Sequence, residues 1–126
     1  MKINNVNVEA MGAFVQQVKA DPNQAKKQKR VEGRWSFEEG RPQFVATMAH
    51  ATGEHRVEAD FAPFMGGAGL APDPIQYCLY GLAACYAGTF VGRAASEGVN
   101  LRALKVIAEN RVDLSRALGL SENAVV

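Results

Sequence analysis

Cysteine is scarce in this chain, with two in 126 residues, and neither sign of charge prevails: 14 basic residues meet 13 acidic ones for a net +1. A nucleic-acid face needs a strong basic excess, so no nucleic-acid partner is expected. The one local basic run, Lys26, Lys27, Lys29 and Arg30, reads as a solvated helix end, with a contact to an anion as the alternative. Long uncharged stretches are also missing, apart from Pro74 to Val91. That stretch is short for a membrane span and carries Gln76, Gly81 and Gly88, so it reads as a buried core helix and no membrane partner is expected. No apolar segment follows the polar start Met1-Lys2-Ile3-Asn4-Asn5, so no export signal is expected. The expected compartment is then a reducing cytoplasm, where the two cysteines stand as free thiols rather than as a bridge. Walker-type phosphate loops, nucleophile elbows, internal repeats and low-complexity segments are absent as well.

What is present fits one α+β domain over residues 1–126. Apolar residues make up 48% and charged residues 21%, ordinary values for a globular chain. Val8, Met11, Phe14, Val15 and Val18 recur at the helical period, which predicts an amphipathic helix over 8–19 capped by Asn7. Asp21-Pro22 opens a second short helix, completing a helical extension over 1–29. A β-meander is predicted over 30–61. Val31, Gly33, Trp35 and Phe37 alternate with polar neighbours, the strand 43–50 follows the loop 38–42, and Val57, Ala59 and Phe61 alternate after a turn at Thr52-Gly53. Residues 62–73 hold three glycines and two prolines, which rule out a regular element, and read as loop. Asp73, Pro74 and Gln76 form a capping-box start for a long helix over 74–97, ending at Gly98. Its small residues, Gly81 to Gly88, suit a helix gripped by sheet. A fourth strand is predicted over 101–112, then a turn over 113–120, then the lead into another strand over 121–126.

Cys85, in the middle of the long helix, is the leading candidate for chemistry. The competing reading is an inert core cysteine, because free cysteine is among the most buried residue types. A reactive thiol needs a nearby cation, and the helix dipole fades within the first turn, so an arginine would have to arrive from elsewhere in the fold. Cys78 lies seven residues earlier, on nearly the same face but about 10.5 Å away along the axis. A disulfide needs Cα atoms within about 7 Å, so the two cannot bridge while the helix is intact, and Cys78 reads as a packing residue. His50 and His55 flank the predicted hairpin turn, and their spacing to the cysteines matches no common zinc motif. Gly66-Gly67-Ala68-Gly69 lacks the lysine of a phosphate loop.

From Gly66-Gly67 to Leu120 the chain resembles the OsmC/Ohr family. The features, in order, are the Gly-Gly loop, Ala71-Pro72-Asp73-Pro74, Leu82-Ala83-Ala84-Cys85-Tyr86, Ala94-Ala95-Ser96-Glu97-Gly98-Val99, and Val112-Asp113-Leu114 ahead of Leu118-Gly119-Leu120. Asp21-Pro22 and Trp35 resemble the OsmC-like branch with an added N-terminal helix. The resemblance implies an antiparallel sheet wrapped around a long central helix in an intertwined homodimer. It also implies further strands and a second long helix, so the 126 residues are expected to be part of a longer chain.

For function, the resemblance implies a thiol peroxidase that reduces organic hydroperoxides, with a small apolar hydroperoxide and a thiol reductant as partners and no cofactor. Cys85 matches the attacking cysteine. Arg41 matches the arginine that holds its thiolate, with Arg34 as the alternative. The family's glutamate near the helix start is not matched, since Ile75 and Gln76 follow Pro74, and its second, resolving cysteine has no counterpart. Two other readings stay open: a non-enzymatic relative that binds a small apolar ligand or a partner, and a stress-associated structural dimer with an inert cysteine.

Overall fold

The computed structural model describes residues 1–122. It is a mixed α+β chain with two antiparallel sheets and two α-helices. The first sheet is a hairpin of β1 (Lys2–Ile3) and β2 (Val6–Asn7). Asn4 and Asn5 both take positive φ, 53° and 62°, the geometry of a two-residue hairpin turn that asparagine tolerates better than most residues. The sequence reading gave this stretch no structure, although the Asn-Asn pair is the signal for the turn.

Helix α1 (Val8–Ala20) follows directly, with Asn7 Oδ1 accepting from the Ala10 N–H at 3.0 Å. Asp21 then caps a 3-10 turn, Pro22–Ala25. The basic run beyond it makes local contacts: Lys26 Nζ donates to Asn23 Oδ1 at 2.9 Å, Lys27 lies 5.2 Å from the Phe14 ring centre, and Arg30 pairs with Glu32 at 2.7 Å. These fit the solvated-face reading.

The second sheet has the order β3-β4-β5, from β3 (Gly33–Trp35), β4 (Phe44–His50) and β5 (Gly53–Ala59). Opposite residues share a face, and the register places Gly33, Ala46 and Val57 in one row and Trp35, Phe44 and Ala59 in the next. That face is apolar. The other carries Arg34, Val45, Thr47, Arg56 and Glu58, as a meander with one wet face requires. Gly33 is needed where it is, because a Cβ there would collide with the Phe44 ring lying across it.

Helix α2 (Pro74–Ser96) starts on the expected capping box: Asp73 Oδ1 accepts from the Ile75 N–H at 2.8 Å, and Gln76 Oε1 accepts from the Asp73 N–H at 3.0 Å. It ends at Gly98, φ 73°, with the Val99 N–H donating to the Ala94 carbonyl at 2.9 Å. Two expectations fail here. The helix is not buried: only Gly92 and Ala95 are. Its main packing is against α1 and β2, with Met11 over Gly92, rather than inside the three-stranded sheet. The reason is area. A compact monomer of 13.6 kDa exposes about 6,600 Å². This chain exposes 10583 Å², so about 4,000 Å² that a compact fold would cover lies open.

The predicted fourth strand over 101–112 is the third correction, because no strand forms there. Alternating Leu104, Val106 and Ala108 supply propensity, but a strand's hydrogen bonds lie outside itself and no neighbouring edge pairs with it among the described residues. What fixes the segment's start is Asn4. Its Nδ2 donates to the Val99 carbonyl at 2.8 Å, and its Oδ1 accepts from the Leu101 N–H at 2.9 Å. Further on, Asp113 caps a turn. Its carboxyl is held below the usual carboxylate range by the Ser115 hydroxyl and then by the Ser115 N–H. A lowered carboxyl stabilises the fold above its unfolded pKa, and this is lost as pH falls through the folded value. The expected lead into another strand, 121–126, falls for its last four residues outside the described residues.

Replacing Asn4 tests this frame. Asn4→Ala removes two hydrogen bonds and a side chain suited to positive φ, and is expected to cost about 2 kcal/mol. Urea unfolding should show a lower midpoint at an unchanged slope.

Candidate functional site

Cys85 lies on the open face of α2. Ile75, Leu82 and Tyr86 recur there at helical spacing, with Leu82 and Tyr86 each 64% exposed. Cys85 and Leu82, three residues apart, are neighbours on that face. Both Cys85 and Cys78 are free thiols and both are exposed, so neither is the packed core cysteine of the bland reading within this chain.

The two candidate arginines differ in setting. Arg34 sits on β3 on the polar face of the sheet, opposite Val45, and points away from the face that carries Trp35 and Phe44. Arg41 sits in the loop between β3 and β4, where Gly40 takes φ 79°. Its Nε pairs with Glu38 Oε2 at 2.8 Å. No glutamate stands in the first turn of α2, where Asp73 and Gln76 are both occupied by the cap, but this loop supplies a carboxylate to the arginine locally. Sequence reasoning missed Glu38, although its spacing of three residues from Arg41 was visible. Neither arginine is hydrogen-bonded to Cys85 among the described residues.

The glycine-rich loop is built otherwise than a phosphate cradle. A 3-10 turn, Pro63–Met65, starts it, and Gly66 follows at φ 89°. The N–H groups of Gly66, Gly67 and Gly69 donate to the carbonyls of Pro63, Ala62 and Phe61. Those of Ala68 and Leu70 donate to Asp60 Oδ2 at 3.2 and 2.9 Å. Every backbone donor from Gly66 to Leu70 is therefore engaged within the protein, and none is left for an anion. At Gly67 a Cβ would collide with the Phe61 carbonyl, which is why glycine stands there. Asp60 organises this loop, although in the sequence only its place between Ala59 and Phe61 marks it.

The loop also joins sheet to helix. Gln43 donates to the Gly66 carbonyl at 3.2 Å and accepts from the Phe61 N–H at 3.1 Å. The Asp60 N–H donates to the Pro72 carbonyl at 3.2 Å, and the Tyr77 hydroxyl on the first turns of α2 donates to the Glu58 carbonyl of β5 at 2.6 Å. Cys85 lies two turns beyond Tyr77, past the last of these ties.

His50 and His55 lie at the β4–β5 hairpin, where His50 Nδ1 lies 3.4 Å from both the Thr52 N–H and its hydroxyl. Among the described residues no three His, Cys, Asp or Glu side chains converge in a way that could hold a metal ion. No helix among them is long and apolar enough to cross a membrane. No known family model matches the chain, and no curated protein matches it.

The helix geometry makes a plain prediction about the thiols. Seven residues of α-helix separate them by about 10.5 Å, beyond disulfide reach of about 7 Å. Mild oxidation followed by peptide mapping should find no bridge from Cys78 to Cys85 within one chain. Such a bridge would mean that α2 unwinds between them.

Proposed function

We propose that this protein is a thiol peroxidase of the OsmC/Ohr type that reduces organic hydroperoxides through Cys85. The observation that carries the reading is a free, exposed cysteine on the open apolar face of a long helix, beside Leu82 and Tyr86. An alkyl chain has apolar surface to lie against there, and the thiol is within its reach.

In the proposed reaction the Cys85 thiolate attacks one peroxide oxygen. The O–O bond breaks, the departing alkoxide takes a proton to become an alcohol, and the sulfur becomes a sulfenic acid. Cys78 is too far along the helix to resolve it. A thiol reductant from outside therefore attacks the sulfenic sulfur and water leaves, and a second thiolate of the reductant restores Cys85 as the reductant becomes a disulfide.

A second copy of the chain completes the site in this reading. The open helix face of one copy packs under the apolar sheet face of the other, with Trp35 and Phe44 against the helix. The uncovered area, about 4,000 Å² per chain, exceeds the about 1,000–2,500 Å² that each partner buries in an obligate interface of about 2,000–5,000 Å² in total, so there is ample surface for a second copy to cover. This arrangement favours Arg41 over Arg34 as the thiolate's partner. Arg34 is on the opposite face of the sheet, whereas Arg41 stands at the end of the sheet in a loop with Glu38 to orient it.

The second reading, a non-catalytic binding or structural dimer, is favoured by one observation: the start of α2 offers no glutamate for the arginine, and Asp73 and Gln76 are both engaged in the cap.

The test is consumption of cumene hydroperoxide by the purified protein with a dithiol reductant. Cys85→Ser should abolish turnover and Cys78→Ser should retain it. Arg41→Ala should lower kcat/KM by about a hundredfold, the usual effect of removing one charge-stabilising donor, while Arg34→Ala should change it little. Folded protein with no turnover would establish the second reading instead.

A further inference from the structure

Every residue from 19 to 32 is exposed, and the stretch 26–32, between the 3-10 turn and β3, is neither helix nor strand. It carries Lys26, Lys27, Lys29 and Arg30. Only Arg30 meets a carboxylate, that of Glu32. Lys26 meets the amide of Asn23 and Lys27 the ring of Phe14, and neither contact cancels a charge. With Lys19, residues 10–31 hold five basic side chains against Asp21 alone, a net +4. The rest of the chain holds nine basic against twelve acidic, a net −3. The net +1 of the whole chain therefore hides a positive segment set against a negative remainder.

Apolar groups stand among these cations. No residue of α1 is buried. Its apolar stripe meets α2 through Met11 over Gly92, while Phe14 and Val15 stay exposed. The 5.2 Å from Lys27 Nζ to the Phe14 ring centre brings the basic run against that stripe. Val31, directly after Arg30, is 62% exposed.

We propose that α1 and the basic run after it form a docking surface for an anionic lipid bilayer. An amphipathic helix binds at a bilayer surface in proportion to the apolar area it inserts and to its attraction for acidic headgroups. Clustered lysines and arginines beside such a helix supply the second part. Phe14, Val15 and Val31 supply the first, and a nucleic acid would have no use for the two valines. The negative remainder is repelled by the same lipids, so the positive segment faces the bilayer and the rest of the chain stays in water. The contact is superficial, since no helix among the described residues is long and apolar enough to cross a membrane. The expectation of no membrane partner rests on the lack of a span, which this contact does not need. Cys85 takes no part in it, so the proposal stands apart from the thiol chemistry.

The test is co-sedimentation of the purified protein with vesicles of equal parts phosphatidylserine and phosphatidylcholine, beside vesicles of phosphatidylcholine alone. The expected result is binding to the anionic vesicles only, weakening as salt rises. Each lysine near an anionic surface contributes about fivefold, so Lys26→Gln combined with Lys29→Gln should weaken binding about thirtyfold. Val31→Ser keeps every charge and should still weaken it severalfold. All three positions are exposed, and circular dichroism checks that the variants keep the fold. Equal binding to both kinds of vesicle would overturn the proposal, because the open apolar faces of α2 and the sheet would then carry it. Failure to bind either, or anionic binding that the double variant leaves unchanged, would overturn it too. Binding that is insensitive to Val31→Ser and is matched by a single-stranded oligonucleotide would overturn it in favour of a nucleic-acid contact.

Discussion

An uncharged helix that the described residues leave largely uncovered is the constraint on which the rest of this structure depends. From Pro74 to Val91 helix α2 carries no ionisable side chain except cysteine and tyrosine, so it has no face that prefers water. A single copy covers the side against α1 and β2 and leaves Ile75, Leu82, Tyr86 and Phe90 open. The three-stranded sheet has the matching deficit, an apolar face with Trp35 and Phe44 partly in water. Each surface is the kind of cover the other lacks. In the proposed dimer an exchange of faces between two copies would resolve both deficits with one contact.

The local devices make sense against that constraint. They hold the two unsatisfied faces in fixed relation without closing them on each other. Asn4 ties the N-terminal hairpin to the segment after α2 through the Val99 carbonyl and the Leu101 N–H. Asp60 and Gln43 fold the glycine-rich loop onto the end of the sheet, and Tyr77 anchors the start of the helix to β5. Tyr77 is the last residue of the helix hydrogen-bonded to the sheet among the described residues, and Cys85 lies two turns beyond it. The candidate thiol is thus on an exposed stretch of the helix, and in the proposed dimer a partner surface would decide its surroundings.

Much of this was legible in the sequence where the causes are local. Asn7, Asp21 and Asp73 announce their helix starts because capping depends on residues within four positions. The strand alternation gave the meander and its wet face because the pleat has period two. Burial and pairing were not legible, since they depend on what lies opposite. Alternation over 101–112 could not reveal that no edge among the described residues would receive it. The apolar run of α2 implied a buried helix, but not that the described residues would leave it open. At the candidate site, Cys85 stood out by its setting, whereas Glu38 and Asp60 did not. Their roles arise from loops that bring them to Arg41 and to the Ala68 and Leu70 N–H groups, and no periodic pattern marks a loop contact.

In the proposed assembly a second copy covers the open helix and sheet faces. Sedimentation equilibrium of the purified chain tests it most directly. The account predicts a species of twice 13.6 kDa that persists to low micromolar concentration, and an unfolding midpoint that rises with protein concentration. A 13.6 kDa species that unfolds cooperatively, with a midpoint independent of concentration, would contradict it.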